Sequence, residues 1–408
     1  MTRVKRARAR QVFDSRGSPT VSVFLEAESG RRATVAAPSG ASTGAHEVRA
    51  FPSGGVPEAL ERFSSTVAPK IESLGFDQLA PVDEALHALD GTHDFQRIGG
   101  NVATAVSVAA SMLIASERSV ELWEVWREMY GDSVRDAAPY PAIVGNCLNG
   151  GRHAIGGPDM QEFHAFAKDA DPMRSVRAAL AVHHEVGLLL QKRYPTLALG
   201  RGDEGGWVAP IGNIEAIELL TEACTRVRDA SHVEVHPGLD LAASEFASEG
   251  RYRYHEQTLD AEGQIGFLST LVDRYGLRYV EDPFDEEDYA SFAAFTRAVG
   301  SKALVVGDDL FTTSVDRVRR GIDEHAVNAV LVKVNQVGTV SDTLATARLA
   351  RQAGWTTVAS HRSGDVPEGW LAHLSVGLHS AGIKCGLLGG ERVAKLNELL
   401  RLAARVEG

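Results

Sequence analysis

Cysteine is scarce in this chain: Cys147, Cys224 and Cys385 are the only three in 408 residues. They form neither an even-numbered framework nor a ligand-like spacing, which excludes a disulfide scaffold and favours a reducing compartment. No apolar run is long enough to span a bilayer. The basic start MTRVKRARAR is followed by QVFDSRGSPT and not by an apolar stretch, so it reads as a first strand and not as a signal peptide. Positive charge is in deficit, with 42 Lys and Arg against 54 Asp and Glu and a net charge of −12. That argues against a nucleic-acid partner and against an anionic membrane surface. There is no internal repeat and no low-complexity segment. The expectation is a soluble, cytoplasmic protein, and 44% hydrophobic content is enough for a large core and two domains.

Residues 3–40 read as a hairpin or meander, with a turn at SRGSP and an alternation in TVSVFLEAE that predicts a strand with one buried face. Helical spacing follows at 55–74 and from about 101 to 130. Strands followed by helices give a smaller α+β domain over 1–135, with the junction in DAAPYPAIVGN. Beyond it, strand-like runs (IVGNCL, MQEFHAF, LALG, HVEVHPGLD, LRYVED, ALVVGDD, AVLVKVN, TTVASH, IKCG) alternate with helical ones. The helices are expected at 171–192, 211–228, 264–275, 288–299, 339–353 and 368–376. This is the pattern of an α/β fold, an irregular, TIM-like β/α barrel over 136–408, its first two strands pairing without a helix between them.

Four of these strands end on charge: Asp240, Glu281, the pair Asp308 and Asp309, and Lys333. In such barrels the catalytic groups gather at the carboxyl ends of the strands. A lone acid after a strand is more often the N-cap of the next helix. Three carboxylates converging with a lysine instead outline a site for a hard divalent cation. Lys333, between Val332 and Val334, is expected inside a strand covered on both faces, where burial would lower its pKa and make it usable as a base.

Glycine-bearing loops accompany these ends. PSGASTGAHE carries Ser42, which can serve a cation or belong to a plain flexible turn. NGGRHAIGGPDMQEF holds His153 and Glu162, though a loop histidine is usually a surface residue. RGDEGG places Asp203 and Glu204 after a strand, in a turn or against a substrate. ASHRSG offers His361, Arg362 and Ser363, a set suited to phosphate or carboxylate, and IKCG supplies Lys384. No Walker loop, dinucleotide fingerprint, serine elbow or zinc spacing is present.

Taken in order, FDSRGSPTV, PSGASTG, CLNGGRHA, MQEF, GDEGG, GLDLAASEF, VEDPF, VGDDLF, LVKVNQVGT, SHRSG and ERVAKLNELLR resemble the enolase family along nearly the whole chain. The resemblance implies a small α+β domain capping the barrel, a homodimer or higher homo-oligomer, and a small anionic phosphorylated substrate. It implies reversible dehydration of 2-phosphoglycerate to phosphoenolpyruvate with two Mg²⁺ ions. Asp240, Glu281 and Asp308 match the ligands of the first ion, and Ser42 a ligand of the second. Lys333 matches the base and Glu204 the acid, so Lys333 is expected neutral and Glu204 with a raised pKa. Glu162, His153 and His361 match groups around the departing hydroxyl and the phosphate, Arg362 and Ser363 phosphate contacts, and Lys384 a carboxylate contact.

The chain departs from the pattern near the site. DVPEGW (Asp365 to Trp370) replaces an acidic run, and Gly389-Gly390-Glu391-Arg392 replaces Arg-Ser-x-Arg, losing one cation and a serine. Arg49-Ala50-Phe51-Pro52 and Ile155-Gly156-Gly157-Pro158 are also unusual. Two other readings therefore stand beside an enolase: an enolase-like carboxyphosphonoenolpyruvate synthase of phosphonate biosynthesis, and a catalytically silent binding or scaffold protein.

Overall fold

The computed structural model describes residues 1–40, 44–133 and 140–406. The loop serine Ser42 and the domain boundary expected between residues 135 and 136 lie outside the described residues. An antiparallel sheet opens the chain, in the order Arg32–Ala36, Pro19–Ala27, Thr2–Phe13 and Gly75–Phe76. The central strand Pro19–Ala27 is buried on both faces and not on one as its alternation predicts. On its polar face Arg32 and Arg6 reach across to Glu26, at 2.9 and 3.6 Å, and their stems cover the strand.

The helix Gly100–Arg118 packs on this sheet and is buried around most of its circumference, as its small, mostly apolar composition requires. The single helix expected from 101 to 130 is broken at Ser119, whose φ is +54°, and resumes as Leu122–Tyr130 behind a Glu121 capping box. The 55–74 stretch is likewise interrupted by a π turn at Phe63–Val67.

Eight strands close the barrel: Ala142–Asn149, Glu162–Lys168, Glu234–Asp240, Tyr279–Glu281, Leu304–Gly307, Ala329–Val332, Thr356–Ser360 and Gly382–Gly386. The first two pair antiparallel, as do the second and third, and the last pairs parallel with the first to complete the circle. Val144, Phe166, Tyr279, Val306, Leu331 and Val358 fill its interior. Three expectations need correction. LALG is not a barrel strand; only Gly200–Arg201 pairs, with Trp207–Val208, as a short ribbon against the first strand. Val315–Glu324 is a helix absent from the expected set: Val315, Val318 and Ile322 recur at helical spacing, but only Val318 and Gly321 are buried among many charges. Lys333 is not inside its strand: pairing ends at Val332, and Lys333 caps the short helix Val334–Val337.

The first unit docks on the turn that follows Lys333. Thr104 Oγ1 donates to Gly338 O (3.0 Å), Val340 N to Ser107 Oγ (3.0 Å) and Val48 N to Gln336 O (3.0 Å). Gly338 has a φ of +92°, and a Cβ there would lie 2.6 Å from the Phe95 ring, so only glycine admits this contact.

Asp83 accepts from Ser341 N (3.0 Å) across the same seam and is buried. Burial pushes its carboxyl from 3.8 up to about 6. A raised acid adds stability that is complete below the unfolded pKa and is lost as pH rises through the folded one. We therefore expect stability to fall between pH 3.8 and about 6 on this account. Asp83→Asn should remove that slope and gain on the order of 2–3 kcal/mol at neutral pH. Unfolding midpoints measured against pH check this; an unchanged slope in the variant would refute it.

Candidate active site

At the carboxyl mouth of the barrel, parallel pairing sets Asp240 directly beside Glu281. Two like charges in register repel, and Lys384, from the last strand, relieves them. Its buried ammonium lies 2.8 Å from Asp240 Oδ2, 2.7 Å from Glu281 Oε1 and 3.5 Å from Glu162 Oε2. Burial opposes the charge on Lys384, but Asp240, Glu162 and Glu281 outweigh it and hold the pKa well above the ordinary lysine value. Glu281 remains strained electrostatically: burial and then Asp240 push it up to about 8, and Tyr279 donates to its second oxygen (2.5 Å).

Asp308 accepts from Lys333 Nζ at 2.5 Å and from Gln336 Nε2 at 2.8 Å. Burial lowers the Lys333 pKa, as expected, but Asp308 and Glu281 overcome it and the net shift is upward. The expected neutral lysine is thus an ammonium in this state, because its nearest neighbour is an unneutralised carboxylate. Asp282, with φ +41°, accepts from Asp308 N (2.9 Å) and Asp309 N (2.7 Å) and fixes the turn that carries both acids. Asp282, Asp308 and Asp309 bring carboxylate oxygens within 4.8 Å of one another. Burial pushes Asp309 up to about 8, with Asp308 adding to it. Carboxylates that crowd this closely fit a hard cation through oxygen ligands alone.

Across the cavity, Glu204 sits on a tight turn in which Gly202 N donates to Gly206 O (2.9 Å). Gly205 has φ +82°, and a Cβ there would meet Leu388 O at 2.7 Å. His361 Nε2 lies 2.9 Å from Glu204 Oε2, and His153 Nε2 lies 3.5 Å from Glu162 Oε1. The proton distribution reverses the expectation. Burial raises Glu204, yet its contact with His361 and the nearby Arg392 guanidinium hold it below the carboxylate range. Glu162 is raised well above that range by burial and by Glu204. The two buried acids are pushed in opposite directions by their environments, Glu162 up and Glu204 down, which is the signature of an acid–base pair. His153, Glu162 and Glu204 also form a ligand-like group within 4.8 Å, all three buried.

One small polar cavity is lined by His153, Glu162, Glu204, Asp240, Asp308, Lys333, His361, Arg362, Ser363 and Lys384. Glu281 reaches it through Lys384. Ser42 falls outside the described residues. Arg362 is already engaged: its guanidinium is bidentate to Glu47, at 2.8 and 3.1 Å, and also donates to Asn335 Oδ1. Glu47 belongs to the first unit, so Arg362 is tied to the cap. Sequence reasoning gave no role to Glu47, Asp282, Gln336 or Arg392, although they stand inside the quoted segments PSGASTGAHE, VEDPF, LVKVNQVGT and ERVAKLNELLR.

The enolase N-terminal domain model matches residues 4–126 and the enolase C-terminal TIM barrel domain model residues 137–407. The chain belongs to the enolase family. Relatives named enolase agree over its whole length: that of Methanothermobacter thermautotrophicus is 40% identical over 99% of this chain and 97% of its own. Those of Halorubrum lacusprofundi (41%, covering 99% of both chains) and Natronomonas pharaonis (40%, covering 99% of this chain and 100% of its own) are similar to the same degree. Among the described residues no helix is long and apolar enough to cross a membrane.

An enolase-type mouth that buries this many acids depends on its lysine. Lys384→Met leaves Asp240 and Glu281 facing each other and should cost about 3–5 kcal/mol, the usual cost of stranding a buried charge. Denaturant unfolding in the presence of a chelator measures it. A loss below about 1 kcal/mol would mean that the acids simply protonate.

Proposed function

We propose that the chain is a lyase that reversibly dehydrates 2-phosphoglycerate to phosphoenolpyruvate, the glycolytic reaction of its family. The observation that carries this reading is the arrangement of one polar cavity with Lys333 and Asp308 on one side and the Glu162–Glu204 pair on the other. Asp240, Glu281 and Asp308 would hold the first Mg²⁺, with Ser42 serving a second. Enolase-superfamily sites are a standing example of a Lys or His base working with Mg²⁺. Bound there, Mg²⁺ supplies stabilisation of the negative charge that develops on the substrate carboxylate.

The chain's own residues divide the remaining work. Lys333 Nζ takes the carbon-bound proton, which requires that Asp308 first be relieved of its role as the lysine's counter-ion. Glu204 protonates the departing hydroxyl, and Glu162, whose pKa burial and Glu204 raise, is the adjacent source of a proton. Arg362, Ser363 and His361 receive the phosphate, so Glu47 must give up at least part of its hold on Arg362. Lys384 faces the substrate carboxylate from between Asp240 and Glu281. In the same reading residues 1–135 form the capping domain and 136–408 the barrel, and the protein works in the cytoplasm as a homodimer or higher homo-oligomer. No observation favours the phosphonate-pathway reading or a silent scaffold.

Formation of phosphoenolpyruvate from 2-phosphoglycerate by the purified protein, with Mg²⁺ and with chelator, is the direct test. Turnover should vanish with chelator, and Lys333→Ala should lower kcat by about 10²–10⁴-fold, the range of a general base. Undiminished turnover in that variant would remove Lys333 from its role. Tight Mg²⁺ binding without any turnover would instead point to an enol phosphonate substrate.

Glu204→Gln and Glu162→Gln separate the two acids. If they share one proton, each variant should lose kcat by about 10²-fold or more with a smaller change in KM. A Glu162→Gln enzyme with normal kcat would confine that residue to binding.

A further inference from the structure

Arg392 takes no part in the reaction as assigned, yet it is fully buried directly behind the site. It stands near the start of the helix Gly390–Val406, in the ERVAKLNELLR segment. Its guanidinium donates to the carbonyls of Arg362 (2.5 Å), Ser363 (2.6 Å) and Asp203 (3.2 Å), and to Asp365 Oδ2 at 3.2 Å. Its Nη1 is also 2.6 Å from His361 Nδ1, and the Gly386 backbone N–H points at the same nitrogen from 3.4 Å.

Arginine has donors only and keeps its proton in proteins, and a backbone N–H is likewise a donor. His361 Nδ1 therefore has to be an acceptor. The proton of the neutral ring then sits on Nε2, the nitrogen 2.9 Å from Glu204 Oε2, though off the straight donor direction. An imidazolium would need a second proton on Nδ1, where it would point into two donors. We propose that Arg392 is a positioning residue that locks His361 in the Nε2–H tautomer and keeps it uncharged, so that Glu204 faces a neutral donor.

The same arginine holds the carbonyl of Asp203, the residue before Glu204, and so fixes both members of the contact at once. The groups that bear on the ring are Glu204, Arg392 and Asp365. Asp365 is itself engaged by Lys395 at 2.9 Å as well as by Arg392, which leaves little of its charge to attract a proton to His361. Burial, reinforced by Arg392, pushes His361 down to about 4 in agreement with this geometry. The role rests on the assignment of Glu204 as a proton-transfer group, but the lock itself does not.

Nitrogen NMR of the ligand-free protein carrying ¹⁵N-histidine, with the His361 signals assigned by His361→Gln, tests the lock without any turnover. In the unmodified protein Nδ1 should give an unprotonated signal and Nε2 a protonated one, unchanged from about pH 5 to 8, where a free histidine titrates. In Arg392→Met the ring should titrate inside that window, its proton affinity raised at least tenfold, with both tautomers populated. A protonated Nδ1 in the unmodified protein at neutral pH overturns the proposal, whether or not the variant folds. An Arg392→Met protein that is less stable but keeps the same tautomer and no titration also overturns it, and leaves Arg392 as a bracket between loops. Either result can coexist with normal dehydration activity, so the functional reading is judged separately.

Discussion

Lys384 is the contact on which the barrel mouth depends. Closing a parallel sheet brings Asp240 and Glu281 side by side in register, and Glu162 joins them from the antiparallel second strand. None of these acids reaches water. The ammonium between them offsets part of their mutual repulsion, while burial first and the neighbouring acids second keep the pKa of Glu281 and Glu162 raised. A site prepared in this way has a strong electrostatic preference for added positive charge. It also fixes the strand ends rigidly enough to place Lys333 and Glu204 on facing walls.

The cap has a part in the same electrostatics. Its long helix and the loop near Val48 grip the turn after Lys333, so the position of that lysine depends on residues more than two hundred positions earlier. Glu47 reaches further and pairs with Arg362, neutralising its guanidinium. Asn335 closes the ring by donating to Pro38 O (3.0 Å) and accepting from Arg362. Cap and barrel are thus joined through polar contacts around the chemistry, which ties cap position to the occupancy of the site.

Much of this was legible in the chain. Short β-branched runs ending on Asp240, Glu281, Asp308 and Lys333 announced a barrel and its working face, because strand alternation and the place of a βα loop are local properties. The helix Val315–Glu324 was missed although Val315, Val318 and Ile322 recur at helical spacing, because charged residues outnumber so narrow an apolar stripe. Lys333 looked like a strand residue because Val332 and Val334 flank it, whereas pairing partners stop at Val332. Glu47 and Arg392 passed as loop and helix charges, since nothing nearby in sequence shows that they are buried against Arg362 and His361.

The sequence by itself determined which charged groups exist, in what order, and at which ends of which strands. Only the tertiary structure decided how those charges pair and where the protons rest. Glu204 is pushed down and Lys333 pushed up, against what their assigned roles would lead one to expect, while Glu162 is raised. The physical reason is that a pKa is set by burial and by neighbours within a few ångströms, and those neighbours come from segments far apart in the chain.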